Sequence, residues 1–174
     1  MQKITVSQTA AVRLRARPAS EEDLGFLSLL SRSPSTLRLG RAAVPDAHEP
    51  GQEKQAAAPV TGTRNLIIEM HGRDDSWEPV ARVIISSTAQ LSADLSPGLR
   101  EQQLGKAVLK TAIAYIRRNQ SIKELTVQIL PDDAPSIAVF RQAGFIHTAD
   151  TTVSGQVYAR YVYTLPKRQF GLFY

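Results

Sequence analysis

Residues 89–118 read AQLSADLSPGLREQQLGKAVLKTAIAYIRR, and the reading of the fold turns on them. AQLSADL is an apolar stretch of strand length, SPG marks a turn, and a long amphipathic helix follows from Gln102 to Arg118. Leu104, Val108, Ala112 and Tyr115 recur at helical spacing, with Leu109, Ile113 and Ile116 beside them, so one face is apolar. Arg117, Arg118 and Asn119 close the helix with charge suited to the negative end of its dipole. The other end has chemical interest. A helix start carries N–H groups without intrahelical partners, and Arg100 and Lys106 can add full positive charge, so a phosphate could sit there.

Working outward, LIIEMHG, GRDDSWEP and VARVIISST (residues 66–88) read as strand, turn and strand, a β-hairpin leading into the stretch above. Downstream, LTVQIL (125–130) is a strand of β-branched and aliphatic residues. Asp133 then reads as an N-cap, Pro135 stands in the first turn, and a helix runs to Ala143 before Gly144 ends it. A strand begins at Phe145–Thr148, and VYARYVYTL (157–165) alternates as a final long one. PKRQFGLFY closes the chain as an aromatic-rich tail that could fold back on the body.

The N-terminal third is less regular. Residues 1–10 read as a polar arm. Val12, Leu14 and Ala16 alternate with Arg13, Arg15 and Arg17, the mark of a half-buried strand ended by Pro18. Ser20 followed by Glu21, Glu22 and Asp23 resembles a capping box, and Leu24, Leu27 and Leu30 give a helical stripe. A short helix around Leu37–Ala43 is expected. Residues 42–63, rich in Ala, Pro and Gly, read as a flexible insert within one domain spanning 11–174.

Composition narrows the function. At 174 residues, with 43% hydrophobic and 21% charged residues, the chain has the make-up of one ordinary globular domain. It contains no cysteine, which excludes disulfides, thiolate metal sites and cysteine nucleophiles. His48, His71 and His147 lack ligand spacing, so no metal is expected. No segment has the length or apolarity of a signal peptide or membrane span, and the expectation is a cytoplasmic protein without a membrane partner. A net charge of +5 suits an anionic partner. Nucleic acid is the weaker choice, because no basic run is interleaved with aromatics.

Residues 89–145 together resemble the Gcn5-related N-acetyltransferase superfamily. Two motifs carry the resemblance. Arg100-Glu101-Gln102-Gln103-Leu104-Gly105-Lys106 is similar to the family's R-x-x-G-x-G/A turn, and PDDAPSIAVFRQAGF, Pro131 to Phe145, is similar to its PEN-x-x-S-x-x-x-F/Y-x-x-x-G-F helix. Each motif alone is weak, whereas the pair at this separation is fairly specific. The resemblance implies an α/β fold of acyl-CoA N-acyltransferase type, a mixed and mostly antiparallel sheet flanked by helices. It implies acetyl-CoA as cosubstrate, its pantetheine paired with the strand ending at Ala93, Asp94 and Leu95. The pyrophosphate would lie on the amides of Glu101, Gln102, Gln103, Leu104, Gly105 and Lys106, with Arg100 adding charge. Asp133 stands where many members have asparagine, and reads either as a plain N-cap or as a polar contact to pantetheine that can go alongside capping.

Two departures bear on activity. Gln103 replaces the first glycine of the turn, putting a side chain where the backbone would approach the pyrophosphate. Phe140 stands where many members carry a tyrosine that protonates the leaving thiolate. The family also contains phenylalanine there, and spacing alone makes Phe140 a core aromatic. For a general base, Glu69 is the choice among the strand residues; His71, of the same parity, belongs to the hairpin end. The expected function is acetyl transfer to a primary amine of a small molecule, an amino sugar among them, or of a protein. The alternative is a non-catalytic CoA-binding or interaction module of the same fold. A homodimer is compatible with either.

Overall fold

A computed structural model describes residues 12–33, 37–40, 63–99, 104–119 and 121–166. The expected arm at 1–10, nearly all of the insert at 42–63, and the tail from 167 onward lie outside them, as do Arg100, Glu101, Gln102 and Gln103.

The elements run β1 (Leu14–Pro18), a single 3-10 turn (Glu21–Asp23), α1 (Leu24–Arg32), β2 (Leu37–Leu39), β3 (Arg64–His71), β4 (Trp77–Ile85), β5 (Leu91–Leu95), α2 (Gly105–Asn119), β6 (Glu124–Ile129), α3 (Ala134–Gln142), β7 (Ile146–Val153) and β8 (Gln156–Thr164). Five strands form one sheet in the order β1-β3-β4-β5-β2, and three form a second in the order β6-β8-β7. All strand pairs within the sheets are antiparallel. Between the sheets one parallel bridge joins Gln90 to Thr126. This is the expected fold class, divided into two sheets.

One element differs in kind from the expectation. Residues 37–39, within the stretch expected to be a short helix around Leu37–Ala43, form strand β2, and Gly40 turns the chain with φ 70°. Leu and Arg are good helix formers, but three residues are too few to hold a helix against the sheet edge offered by β5, and tertiary pairing decides their state.

Strand parity builds the two faces of the larger sheet. Leu14 and Ala16 of β1, Leu66 and Ile68 of β3, Ala81, Val83 and Ile85 of β4, and Leu91, Ala93 and Leu95 of β5 share the main core. That core continues through the buried stripe of α2 at Val108, Leu109, Ala112, Ile113 and Ile116. Val80 joins it because the register slips opposite Ile68 and Glu69, a bulge that turns this residue inward. The opposite face carries Ile67, which with Leu27 and Leu30 is buried outside the main core. The entrance of helix α1 is tied to β1 by a bidentate bond from Arg17 to Asp23, 2.7 Å on each arm. The expected capping box stands ahead of it, between Ser20 and Asp23, with the Ser20 N–H donating to the Asp23 carboxylate at 2.8 Å.

Candidate functional site

The site follows from where the two sheets part. β5 and β6 run parallel and touch at their beginnings, where the Thr126 N–H donates to the Ala89 carbonyl at 3.0 Å. Beyond that point the facing edge of β5 is taken by β2, with Leu39 opposite Ala93, Arg38 opposite Asp94 and Leu37 opposite Leu95. β6 pairs instead with β8. The result is a wedge whose apex is the Gln90–Thr126 bridge and whose interior holds β2. The start of α2 at Gly105 and the first turn of α3 at Ser136 border it.

The fit within the wedge is close. A Cβ on Gly40 would stand 2.4 Å from Val127 Cγ2 of β6 and 3.4 Å from the Phe140 ring. Glycine is therefore required by space as well as by its positive φ. Leu39 is fully buried, and its Cδ1 lies 3.5 Å from where a Cβ of Gly105 would be. The buried Ser136 hydroxyl donates to the Arg38 carbonyl at 3.5 Å.

Against this frame the expected donor-binding residues can be placed one by one. Ala93, Asp94 and Leu95 line the wedge, and their outer main-chain edge is engaged by β2. The Leu104 N–H donates to the Leu99 carbonyl at 3.2 Å, so that amide is committed within the turn. Gly105 opens α2, and a Cβ there would meet Val139 at 3.0 Å: this glycine serves close packing of α2 on α3. Lys106 is exposed. Asp133 caps α3, its carboxylate accepting from the Ser136 N–H at 3.2 Å. Phe140 is fully buried, edge-on to Phe145 with centroids 5.0 Å apart, and one edge of its ring faces Gly40. The Phe140 ring thus belongs to the core and borders the wedge at once. Arg100, Glu101, Gln102 and Gln103 lie outside the described residues.

Electrostatics set the second face. Glu69 is buried and accepts from Arg15 Nε at 2.6 Å and Arg17 Nε at 2.9 Å. Burial alone would raise its pKa, but the two guanidiniums outweigh it and hold the carboxyl below its ordinary value. Asp23 is held low chiefly by its bond from Arg17, against an opposing effect of burial. On the same face of the sheet, Asp94 accepts from buried Arg82 through Nη2 and, at 3.1 Å, through Nε, while Arg38 Nε stands 3.9 Å away. Glu69 is thus an ion-paired carboxylate of low proton affinity, which makes it a weak general base. His71, at the hairpin end, meets Asp75 at 2.8 Å and Trp77 edge-on. Among the described residues no group of three or more His, Cys, Asp or Glu could hold a metal ion, and no helix is long and apolar enough to cross a membrane.

Sequence reasoning missed β2, Ser136 and the arginine partners of the two strand carboxylates. Arg15 and Arg17 were legible as one face of a strand, but their partners are 54 and 52 residues away. Gly40 following Leu-Arg-Leu was the available signal for β2.

No family model and no curated protein matches the sequence. Solved structures do match in fold. An aminoglycoside acetyltransferase, AAC(6')-Ib, in complex with coenzyme A superposes with a TM-score of 0.64 at 13% identity, covering 87% of this chain and 95% of that one. Spermidine N-acetyltransferase from Vibrio cholerae in complex with CoA and spermine gives 0.66 at 13% identity over 87% and 95%. A domain from Methanocaldococcus jannaschii gives 0.66 at 14% over 88% and 99%. The fold is the one these structures share.

Proposed function

We propose that the chain is an N-acetyltransferase, moving the acetyl group of acetyl-CoA to a primary amine. The carrying observation is the wedge between β5 and β6, bordered by the starts of α2 and α3, in a fold whose similar structures hold coenzyme A. The residues present suit that donor. The β5 edge at Ala93–Leu95 already pairs with an extended main chain, so it can present the same groups to the amides of a pantetheine arm. Ser136 offers a buried hydroxyl there, and a helix start such as that of α2 has N–H groups without intrahelical partners, which suit a phosphate.

In the reaction the neutral amine attacks the thioester carbonyl, the C–N bond forms, the C–S bond breaks, and the thiolate takes a proton. The chain's contribution in this reading is orientation and main-chain polarisation of the carbonyl. Glu69 is the titratable candidate for taking the amine's proton. Its two arginine partners make an amine that arrives already neutral the better-supported course. The finer acceptor reading, a small molecule such as an amino sugar or a protein amine, draws on neighbours that acetylate aminoglycosides and spermidine. Phe140, which offers no hydroxyl, favours the second reading, a module that binds CoA without turnover.

The test is CoA release from acetyl-CoA across a panel of amino sugars, polyamines and peptide N-termini. A thiol reagent reads it directly, because the chain has no cysteine. At about a hundred times its dissociation constant, acetyl-CoA should stabilise the native state by about 2.7 kcal/mol, a melting shift of roughly 5–10 °C. A shift without release on any amine supports the binding module. Neither shift nor release overturns the donor assignment.

A further inference from the structure

We propose that residues 37–40 act as an internal ligand of the donor groove, so that acetyl-CoA binds by exchanging with β2. The inference rests on the donor reading above and adds how the groove is regulated. β2 lies in register with Ala93, Asp94 and Leu95, on the edge of β5 to which Ala93 and Leu95 turn their amides and carbonyls, the groups an extended, amide-bearing pantetheine arm would use. One strand edge has one set of donors and acceptors, so the two partners exclude each other. The exclusion is also steric. Gly40 fills the gap between Val127 and the Phe140 ring, and Leu39 occupies the space facing Gly105.

Several features make β2 separable from the rest of the sheet. It is the terminal strand, so its departure leaves the β1-β3-β4-β5 pairings intact. It contributes three residues, against eight in β3 and nine in β4. Arg38 lies 3.9 Å from Asp94, whereas Arg82 holds the same carboxylate more closely from the neighbouring strand. Asp94 therefore remains neutralised when Arg38 leaves. The Ser136 hydroxyl, which donates to the Arg38 carbonyl, is freed for the incoming chain. Apparent affinity for acetyl-CoA is then the intrinsic affinity scaled by the fraction of molecules with β2 out.

The experiment locks or expels the strand. Leu39 and Ala93 are directly opposed, a separation that a disulfide spans, and the cysteine-free chain allows one unambiguous bridge. For L39C/A93C we expect acetyl-CoA binding, measured calorimetrically, to be at least about a hundredfold weaker oxidised than reduced, by the competent-fraction argument. Gly40→Val works in the opposite sense. Its side chain cannot be seated beside Val127, and binding should tighten roughly tenfold as the competent fraction rises. Hydrogen exchange on the parent should show the amides of residues 37 and 39, which face β5, losing protection at saturating acetyl-CoA. Equal affinity in oxidised and reduced L39C/A93C overturns the inference while leaving the donor reading intact. If the oxidised protein does not fold, unchanged affinity in Gly40→Val with retained protection in the parent overturns it equally. Absence of binding by the parent, the reduced pair and Gly40→Val overturns the donor reading, and this inference with it.

Discussion

Glu69→Gln separates a structural anion from a general base. The carboxylate is nearly sealed, with 6% side-chain exposure, while its partners Arg15 and Arg17 are 50% and 32% exposed. Breaking a fully buried pair from one side costs about 3–5 kcal/mol, and an exposed pair is worth about 0–1. Glu69 falls between these limits, because both guanidiniums can turn to water and Asp23 still holds Arg17. A loss of about 1–3 kcal/mol follows, or roughly 2–12 °C in melting midpoint at this chain length. Turnover of the folded variant should stay within about threefold of the parent, because glutamine keeps the shape and the low-affinity carboxylate had little proton-accepting power. The assay is a melting curve at pH 7 alongside CoA release at a temperature where both proteins are folded. A turnover loss of a hundredfold or more, the range of a true general base, with an unchanged midpoint would refute the structural assignment.

Three further outcomes are expected. Asp94→Asn should cost about 3–5 kcal/mol, because it leaves the Arg82 guanidinium buried and underpaired; R82M/D94L should recover most of that in a melting curve, and equal losses would refute the account. Phe140→Tyr should lose about 1–3 kcal/mol by placing a hydroxyl in a fully buried position; a midpoint equal to the parent's would mean the hydroxyl has found a partner in the wedge. Asp23 and Glu69 are both depressed from ordinary values of 3.8 and 4.5, so the stability they contribute is complete above about pH 4.5 and is lost as pH falls through the lowered values. Melting midpoints should hold from pH 7 to about pH 5 and fall below pH 4.5, and a flat profile to pH 3 would contradict the pairing.

The parts of the fold that were legible are those where local and tertiary preferences agree. The α2 stripe, the β3–β4 hairpin and the Asp133 cap each announce themselves within one helical turn or one strand period, and the core merely endorses them. Glu69 shows what period alone leaves open. Its parity was readable on β3, but a strand carboxylate facing away from the core is a candidate base or a paired anion depending on what another strand brings opposite. β1 brings two arginines. Gly105 carries a related lesson: the motif assigned it to phosphate, while the contact it permits here is with Val139 of α3.

β2 was illegible for a reason that also explains its use. Three residues are too few to express a period, and the apolar content of Leu-Arg-Leu suits a helix turn as well as a strand. What makes them a strand is the unpaired edge that β5 presents where the sheets part, and that edge appears only once β6 has turned away to β8. A segment whose structure depends on a borrowed edge can be replaced there by any chain offering the same spacing of donors and acceptors. The groove's affinity for an extended amide chain and the ordering of residues 37–40 are then two readings of one property of β5. Buried Leu39 and the close fit of Gly40 set the level an incoming donor must exceed.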